Sequence, residues 1–254
     1  MALLKVKKAS KYFGGLGAID NLDLEIDESE IRGIIGPNGA GKTTLINLIS
    51  GFYVPTKGSI IFNKEDITDL SIHARVKKGI ARTFQLTNLF MDATVYDNVF
   101  LGYHKNYQAG PVRQFLHTSM SKREREICSQ WTMEVLKFMG LTSIRDKLAR
   151  NLPFGHQRAL GVGIALATRP TLLLLDEPIA GMNNEEIVIM TELIRRMRGS
   201  GITVLLVEHH VSAVMSLCGR ITVLDFGKKI AEGSPEEIRN DEKVIEAYLG
   251  CEEE

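Results

Sequence analysis

The stretch GPNGAGKTT, Gly36 to Thr44, sets a glycine, four residues, and then Gly-Lys-Thr in a row. That spacing suits a polyphosphate. Gly36, Gly39 and Gly41 let the backbone pass close to phosphate oxygens, with Pro37, Asn38 and Ala40 completing the loop. Lys42 is long enough to reach the β- and γ-phosphates, Thr43 carries a hydroxyl that can hold Mg²⁺, and Thr44 leads into a helix whose amides point at the anion. A second group, Asp176-Glu177, closes the run TLLLLDEP. Asp176 at the end of a buried strand would face a magnesium shell, and Glu177 beside it can orient or deprotonate an attacking water.

Both groups need rigid elements behind them. Short apolar runs, IRGIIG, TLLLLDEP, GITVLLVE and ITVLDFG, alternate with glycine or polar turns and helical patterns, an α/β order with a mostly parallel sheet. After the phosphate loop, Leu45, Ile46, Leu48 and Ile49 form a helical stripe that closes at Gly51. A further helix is expected over residues 185–198, capped by Asn183 or Asn184, with Ile187, Val188, Met190, Leu193, Ile194 and Met197 on one stripe. Ser234, Pro235 and Glu237 spell the start of another. Residues 86–160 carry few strand runs, a charged block SKREREI and a helical pattern through Trp131, Val135, Leu136 and Met139, and read as a helical insertion. The whole is expected to be a single ATPase domain over 1–254, its core formed by 1–85 and 161–254.

The chain has 254 residues, 44% of them hydrophobic, enough for a core without covalent staples. Lys plus Arg and Asp plus Glu number 31 each, so no overall field recruits nucleic acid or anionic lipid. Cys128, Cys218 and Cys251 are odd in number and form no Cys-x-x-Cys pair, which fits reduced thiols. The N-terminus has no apolar stretch of signal-peptide length, and the apolar runs are too short to span a bilayer, so any membrane role is expected to be peripheral.

Taken in order, the phosphate loop, Gln85 in RTFQLTNLF, the segment Leu152-Pro153-Phe154-Gly155-His156, Asp176-Glu177 and His209 in LLVEHH resemble the ATP-binding cassette family over nearly the whole chain. The resemblance implies ATP and Mg²⁺ as cofactors and assigns roles. Gln85 would sense magnesium or the attacking water, His209 would touch the γ-phosphate, and Phe13, with Tyr12 as second choice, would stack on adenine. An N-terminal antiparallel β part is expected with the parallel core. GIARTFQLTNLFMDATVYDNVFLG, DEPIAGMN, LLVEHH and VIEAYLG look most like ATPase subunits of branched-chain amino-acid importers. Such a subunit sits at the cytoplasmic face of the membrane with two transmembrane permease subunits, a second ATPase subunit and an extracytoplasmic solute-binding protein. Leu86, Leu89, Phe90 and Met91 are then either a docking surface for a permease or ordinary core of the insertion.

The family's usual signature reads Leu-Ser-Gly-Gly-Gln; here only Leu152 and Gly155 match it. In the family this segment opens a helix and closes over the γ-phosphate held by the other subunit of a head-to-tail dimer. Pro153 supplies neither hydroxyl nor N–H, whereas the amides of Gly155 and His156 at a helix start still form an anion site. The expectation is a working variant in a homo- or heterodimer. A degenerate signature would instead imply a regulatory, non-hydrolysing subunit. The AGMN stretch, Ala180 to Asn183, falls at the family's subunit-crossing loop, with Asn183 where aspartate is usual.

Overall fold

A computed structural model describes residues 1–83, 89–103 and 119–249. Gln85, Leu86 and Cys251 lie outside the described residues. The chain begins with two long strands, β1 (Ala2–Phe13) and β2 (Leu16–Asp27), paired antiparallel. With β4 (Lys57–Phe62) and β5 (Glu65–Asp66) they form a four-stranded sheet in the order β2-β1-β4-β5. This is the antiparallel part that the resemblance implied.

The second sheet holds the apolar runs. Its order is β10-β9-β3-β8-β7-β6, formed by β3 (Ile31–Ile35), β6 (Ile80–Arg82), β7 (Leu172–Asp176), β8 (Thr203–Val207), β9 (Arg220–Asp225) and β10 (Lys228–Gly233). Only β10 runs antiparallel to its neighbour among these pairings. Side chains alternate between two faces, and both faces are covered, so the strands are apolar throughout. Leu172 and Leu174 join a core with Leu45, Ile46, Leu48 and Ile49 of α1 (Lys42–Ser50) and the inner residues of the antiparallel sheet. Leu173 and Leu175 face a different core, shared with the helices of the insertion.

Those helices are α3 (Val95–Gly102), α4 (Ser119–Phe138) and α5 (Phe154–Ala167), which pack on one another. α5 runs unbroken through residue 160, carrying the helical unit on to Ala167 at the sheet. Leu89 is buried in this core, while Phe90 and Met91 are exposed. Among the described residues, no helix is long and apolar enough to cross a membrane. Cys128 and Cys218 are free thiols, and burial pushes Cys218 up to about 12.

α6 (Asn184–Gly199) starts from Asn183, whose side chain accepts from the Glu186 N–H while Glu186 reaches back to the Asn183 N–H. Asparagine caps as well as aspartate does, so the departure at this position costs the helix nothing. The expected stripe holds at Met190, Leu193, Ile194 and Met197 but not at Val188, which is 66% exposed. Val188 sits two residues before Met190, about 200° around the helix axis. After α7 (Val211–Leu217), Ser234 caps α8 (Pro235–Arg239) with Glu237 as reciprocal acceptor, as its sequence foretells. α9 (Glu242–Leu249) follows it.

One device was not legible in sequence. Arg75, in α2 (Ile72–Lys78), is fully buried and donates to the carbonyls of Leu48 at 2.6 Å, Ile49 at 2.9 Å, Thr68 at 2.7 Å and Leu70 at 3.0 Å. The first two belong to the last turn of α1, where a cation complements both the orphan carbonyls and the helix dipole. Burial lowers the guanidinium pKa to about 10, so it still carries its charge at neutral pH. Arg75 therefore anchors the far end of the helix whose near end forms the phosphate loop.

Candidate functional site

The loop between β3 and α1 is shaped by close approach. A Cβ on Gly36 would meet the Leu224 carbonyl oxygen at 2.0 Å, so no other residue fits there. Gly41 caps α1 at φ +100 with no side-chain hydrogen bond, and the first turn contains no acidic residue. The amides of Lys42, Thr43 and Thr44 consequently have no acceptor within the helix, and the positive end of its dipole is free for an anion. An open cavity of about 290 Å³ lies there, lined by Asn38 through Thr44, by Glu177, and by Leu16, Gly17, Ala18 and Phe226. Lys42 Nζ donates to the Gly36 carbonyl at 2.7 Å and the Pro37 carbonyl at 2.8 Å. Burial lowers the lysine pKa, and the charges of Glu177 and Asp176 pull it back up.

β7 delivers the carboxylates. Asp176, 1% exposed, accepts from Arg82 at 3.0 Å through Oδ2, while its buried Oδ1 has no partner. Burial pushes this carboxyl up and Arg82 draws it down. An orphaned carboxylate oxygen beside a phosphate loop fits a cation, and the Thr43 hydroxyl is exposed on the first turn of α1. Among the described residues no three His, Cys, Asp or Glu side chains cluster as a metal site. The Asp176 Oδ1 atom and the Thr43 hydroxyl are hard oxygen donors, of the kind that suits Mg²⁺.

Glu177 adopts φ +51, a left-handed backbone that costs a non-glycine residue roughly 1–2 kcal/mol. Its N–H donates to the Val207 carbonyl at 2.9 Å, which extends the β7–β8 ladder by one residue before the chain turns. The same ladder brings His209 alongside, with Nδ1 3.8 Å from Glu177 Oε1. Carboxylate, imidazole and lysine thus converge from distant parts of the sequence.

Between them sits a residue that motif reading missed. Glu208 is fully buried; its Oε1 accepts from the Ile179 N–H at 3.0 Å, and Oε2 has no partner. Burial pushes its carboxyl up. The bond ties the end of β8, and hence His209, to the loop that follows Glu177. Nothing marks Glu208 in the sequence beyond its position next to His209.

The aromatic candidates occupy neighbouring ground without lining the cavity. Tyr12 donates from its hydroxyl to Asp20 at 3.1 Å and lies against Gly17, whereas Phe13 meets Tyr53 edge-on at 5.1 Å. Leu152 is buried, and Pro153 caps α5 without any side-chain bond. Phe154 is 48% exposed beneath the Arg158 guanidinium, 5.0 Å from the ring centre. Gly155 and His156 line a separate cavity of about 180 Å³ with Met182 and Glu186. A Cβ on Gly155 would fall 2.2 Å from the Glu186 carboxylate, so a larger residue here requires that side chain to move aside. The segment does not line its own chain's phosphate cavity.

A phosphate loop on a parallel sheet, carboxylates at the end of the adjacent strand and a helical insertion define a P-loop nucleotide-binding cassette. The chain belongs to the ABC transporter family, whose sequence pattern matches residues 19–180, and it is an ATP-binding, ATP-hydrolysing cassette. A second pattern, that of the branched-chain amino acid ATP-binding cassette transporters, matches residues 228–250. High-affinity branched-chain amino acid transport ATP-binding proteins of Pseudomonas aeruginosa and Escherichia coli are 37% and 39% identical over 249 residues, 98% of this chain and of each relative. The ADP conformation of an ATP-binding cassette from an ABC transporter superposes with a TM-score of 0.86 at 31% identity, covering 98% of this chain and 99% of that one.

Proposed function

We propose that the protein is the ATP-hydrolysing subunit of an importer for branched-chain amino acids. It acts at the cytoplasmic face of the membrane, beneath two permease subunits supplied by an extracytoplasmic solute-binding protein. The observation that carries the catalytic part is the convergence of Lys42, Thr43 and Glu177 on one cavity, with His209 beside Glu177 and the orphaned Asp176 oxygen close by. The names of full-length relatives and the match over residues 228–250 support the solute class.

In this reading, loop amides and Lys42 hold the triphosphate, and Glu177 takes the proton of the attacking water. His209 and the segment around Gln85 orient the γ-phosphate and that water. Mg²⁺, held by Thr43 and Asp176, would neutralise charge on the transferred phosphoryl group. Phe13 or Tyr12 remains a candidate for the base. The segment Leu152 to His156 faces a different cavity from the chain's own phosphate loop, and this supports completion of each site by a second cassette placed head to tail. Exposed Phe90 and Met91 are then a permease-docking surface.

Glu177→Gln in the assembled transporter is expected to keep ATP affinity and lower turnover by about 10²- to 10⁴-fold, the contribution of a positioned base. Unchanged turnover would refute the assignment of Glu177. Leucine uptake into proteoliposomes carrying the permease subunits tests the solute: ATP hydrolysis without ATP-dependent leucine uptake would refute the importer assignment alone.

A further inference from the structure

Three elements meet on one guanidinium beside the phosphate loop. Arg82 closes β6, and the parallel register that sets Ile80 against Leu172 sets Arg82 against Leu174, two residues short of Asp176. Ile80, Leu172 and Leu174 share the core beneath α1, and alternation along the strands carries Arg82 and Asp176 to that same face. The Arg82 side chain is 12% exposed and that of Asp176 fully buried. Arg82 Nη2 donates to Asp176 Oδ2 at 3.0 Å, and its Nη1 donates to Asn47 Oδ1 of α1 at 2.5 Å. A guanidinium is planar and its donors keep a fixed spread, so a fork held at one prong by Asn47 presents the other in one place. The Asp176 backbone is held from the same strand end. Its N–H donates to Thr83 Oγ1 at 3.3 Å, and the Thr83 N–H donates to the Leu174 carbonyl at 2.9 Å. One carboxylate oxygen of Asp176 is thus engaged while Oδ1 is left without a partner. The carboxylate cannot turn about its last bond without breaking the contact to Arg82, so Oδ1 keeps one direction. Removing both charges from water offsets much of their attraction, so orientation rather than stability is what this pair adds.

We infer that Arg82 is a positioning residue for magnesium: it turns the Asp176 carboxylate so that Oδ1 faces the ion, and Asn47 aims Arg82 from the phosphate-loop helix. The inference rests on reading Asp176 and Thr43 as the residues that hold Mg²⁺.

Calorimetry of ADP binding to the full chain, with Mg²⁺ and with EDTA in its place, separates metal-dependent from metal-free affinity. Paramagnetic resonance of Mn²⁺ in the presence of ADP reports the ion directly. Arg82→Met keeps the apolar stem and removes the fork. It is expected to lower Mn²⁺ affinity about 10- to 100-fold, the usual cost of losing a group that orients a metal-holding side chain, with metal-free ADP affinity unchanged. Arg82→Lys keeps the positive charge without the planar fork and is expected to show nearly the same loss. Asn47→Ala touches neither Asp176 nor the ion; it is expected to show a smaller loss of the same kind, and to add little when combined with Arg82→Met. Native Mn²⁺ affinity in folded Arg82→Met or in Asn47→Ala would overturn the inference. Full recovery in Arg82→Lys would overturn it too, leaving Arg82 a counter-charge only. So would equal losses of ADP affinity with and without metal, the mark of a purely structural role. Native protein whose ADP affinity is indifferent to Mg²⁺ would instead overturn the reading of Asp176 and Thr43, a distinguishable result.

Discussion

Replacing Pro153 by serine isolates what the family's usual hydroxyl would contribute. Pro153 holds φ −56 and ψ 154, which serine can adopt, and it caps α5 with no side-chain bond. Loss of proline's restriction on the unfolded chain costs about 0.4–1 kcal/mol, and a serine cap adds about 0.5–2 kcal/mol. The net effect on folding is therefore small, roughly −0.5 to +1.5 kcal/mol, and the melting temperature should move by a few degrees at most. The same oxygen that accepts from a helix amide can donate its proton to phosphate, so the two bonds do not compete. A hydrogen bond to a charged acceptor contributes about 1.5–3 kcal/mol, or about 10- to 150-fold. Steady-state ATPase kinetics of the assembled transporter should show that gain in kcat/KM, with melting curves recorded on the same preparations. A shift in melting temperature with unchanged kinetics would refute the idea that this helix start closes over a phosphate.

Two further substitutions test the buried carboxylates. Asp176→Asn replaces one carboxylate oxygen with an NH₂ donor, and its other oxygen can still accept from Arg82. Breaking a buried ion pair costs about 3–5 kcal/mol, and magnesium-dependent ATP affinity should vanish. Magnesium titration of ATP binding, together with thermal melts, checks both effects. Burial raises the Glu208 carboxyl, so the folded state holds its proton more tightly than the unfolded chain does. Stability from this group is then full below the ordinary carboxylate range and is lost as pH rises through the raised folded value. Glu208→Gln should flatten melting temperature against pH above about 4.5; curves of equal slope for both proteins would refute that assignment.

Chemistry carried by neighbouring residues is legible in the sequence. The phosphate loop needs its glycines, lysine and threonine within one turn, so their spacing alone specifies it. The strand runs declare themselves because the β3, β7 and β8 residues are buried on both faces. The caps at Asn183 and Ser234 are equally local. Val188 misleads because an apolar residue on a helix names no face until the sheet beside it is known.

What the sequence by itself determined is therefore the set of contiguous parts: the phosphate loop, Asp176-Glu177 at a strand end, and the helices that begin at recognisable caps. Only the tertiary structure decided how they meet. The parallel pairing of β7 with β8 sets His209 3.8 Å from Glu177, and the crossing of α2 under α1 turns Arg75 into a clamp on four carbonyls. The β9–β10 turn likewise carries Phe226 to the rim of a cavity built from the other end of the chain. Local bonding rules act over a few residues and leave a trace in spacing, whereas contacts between distant strands depend on sheet order, which no short stretch of sequence encodes.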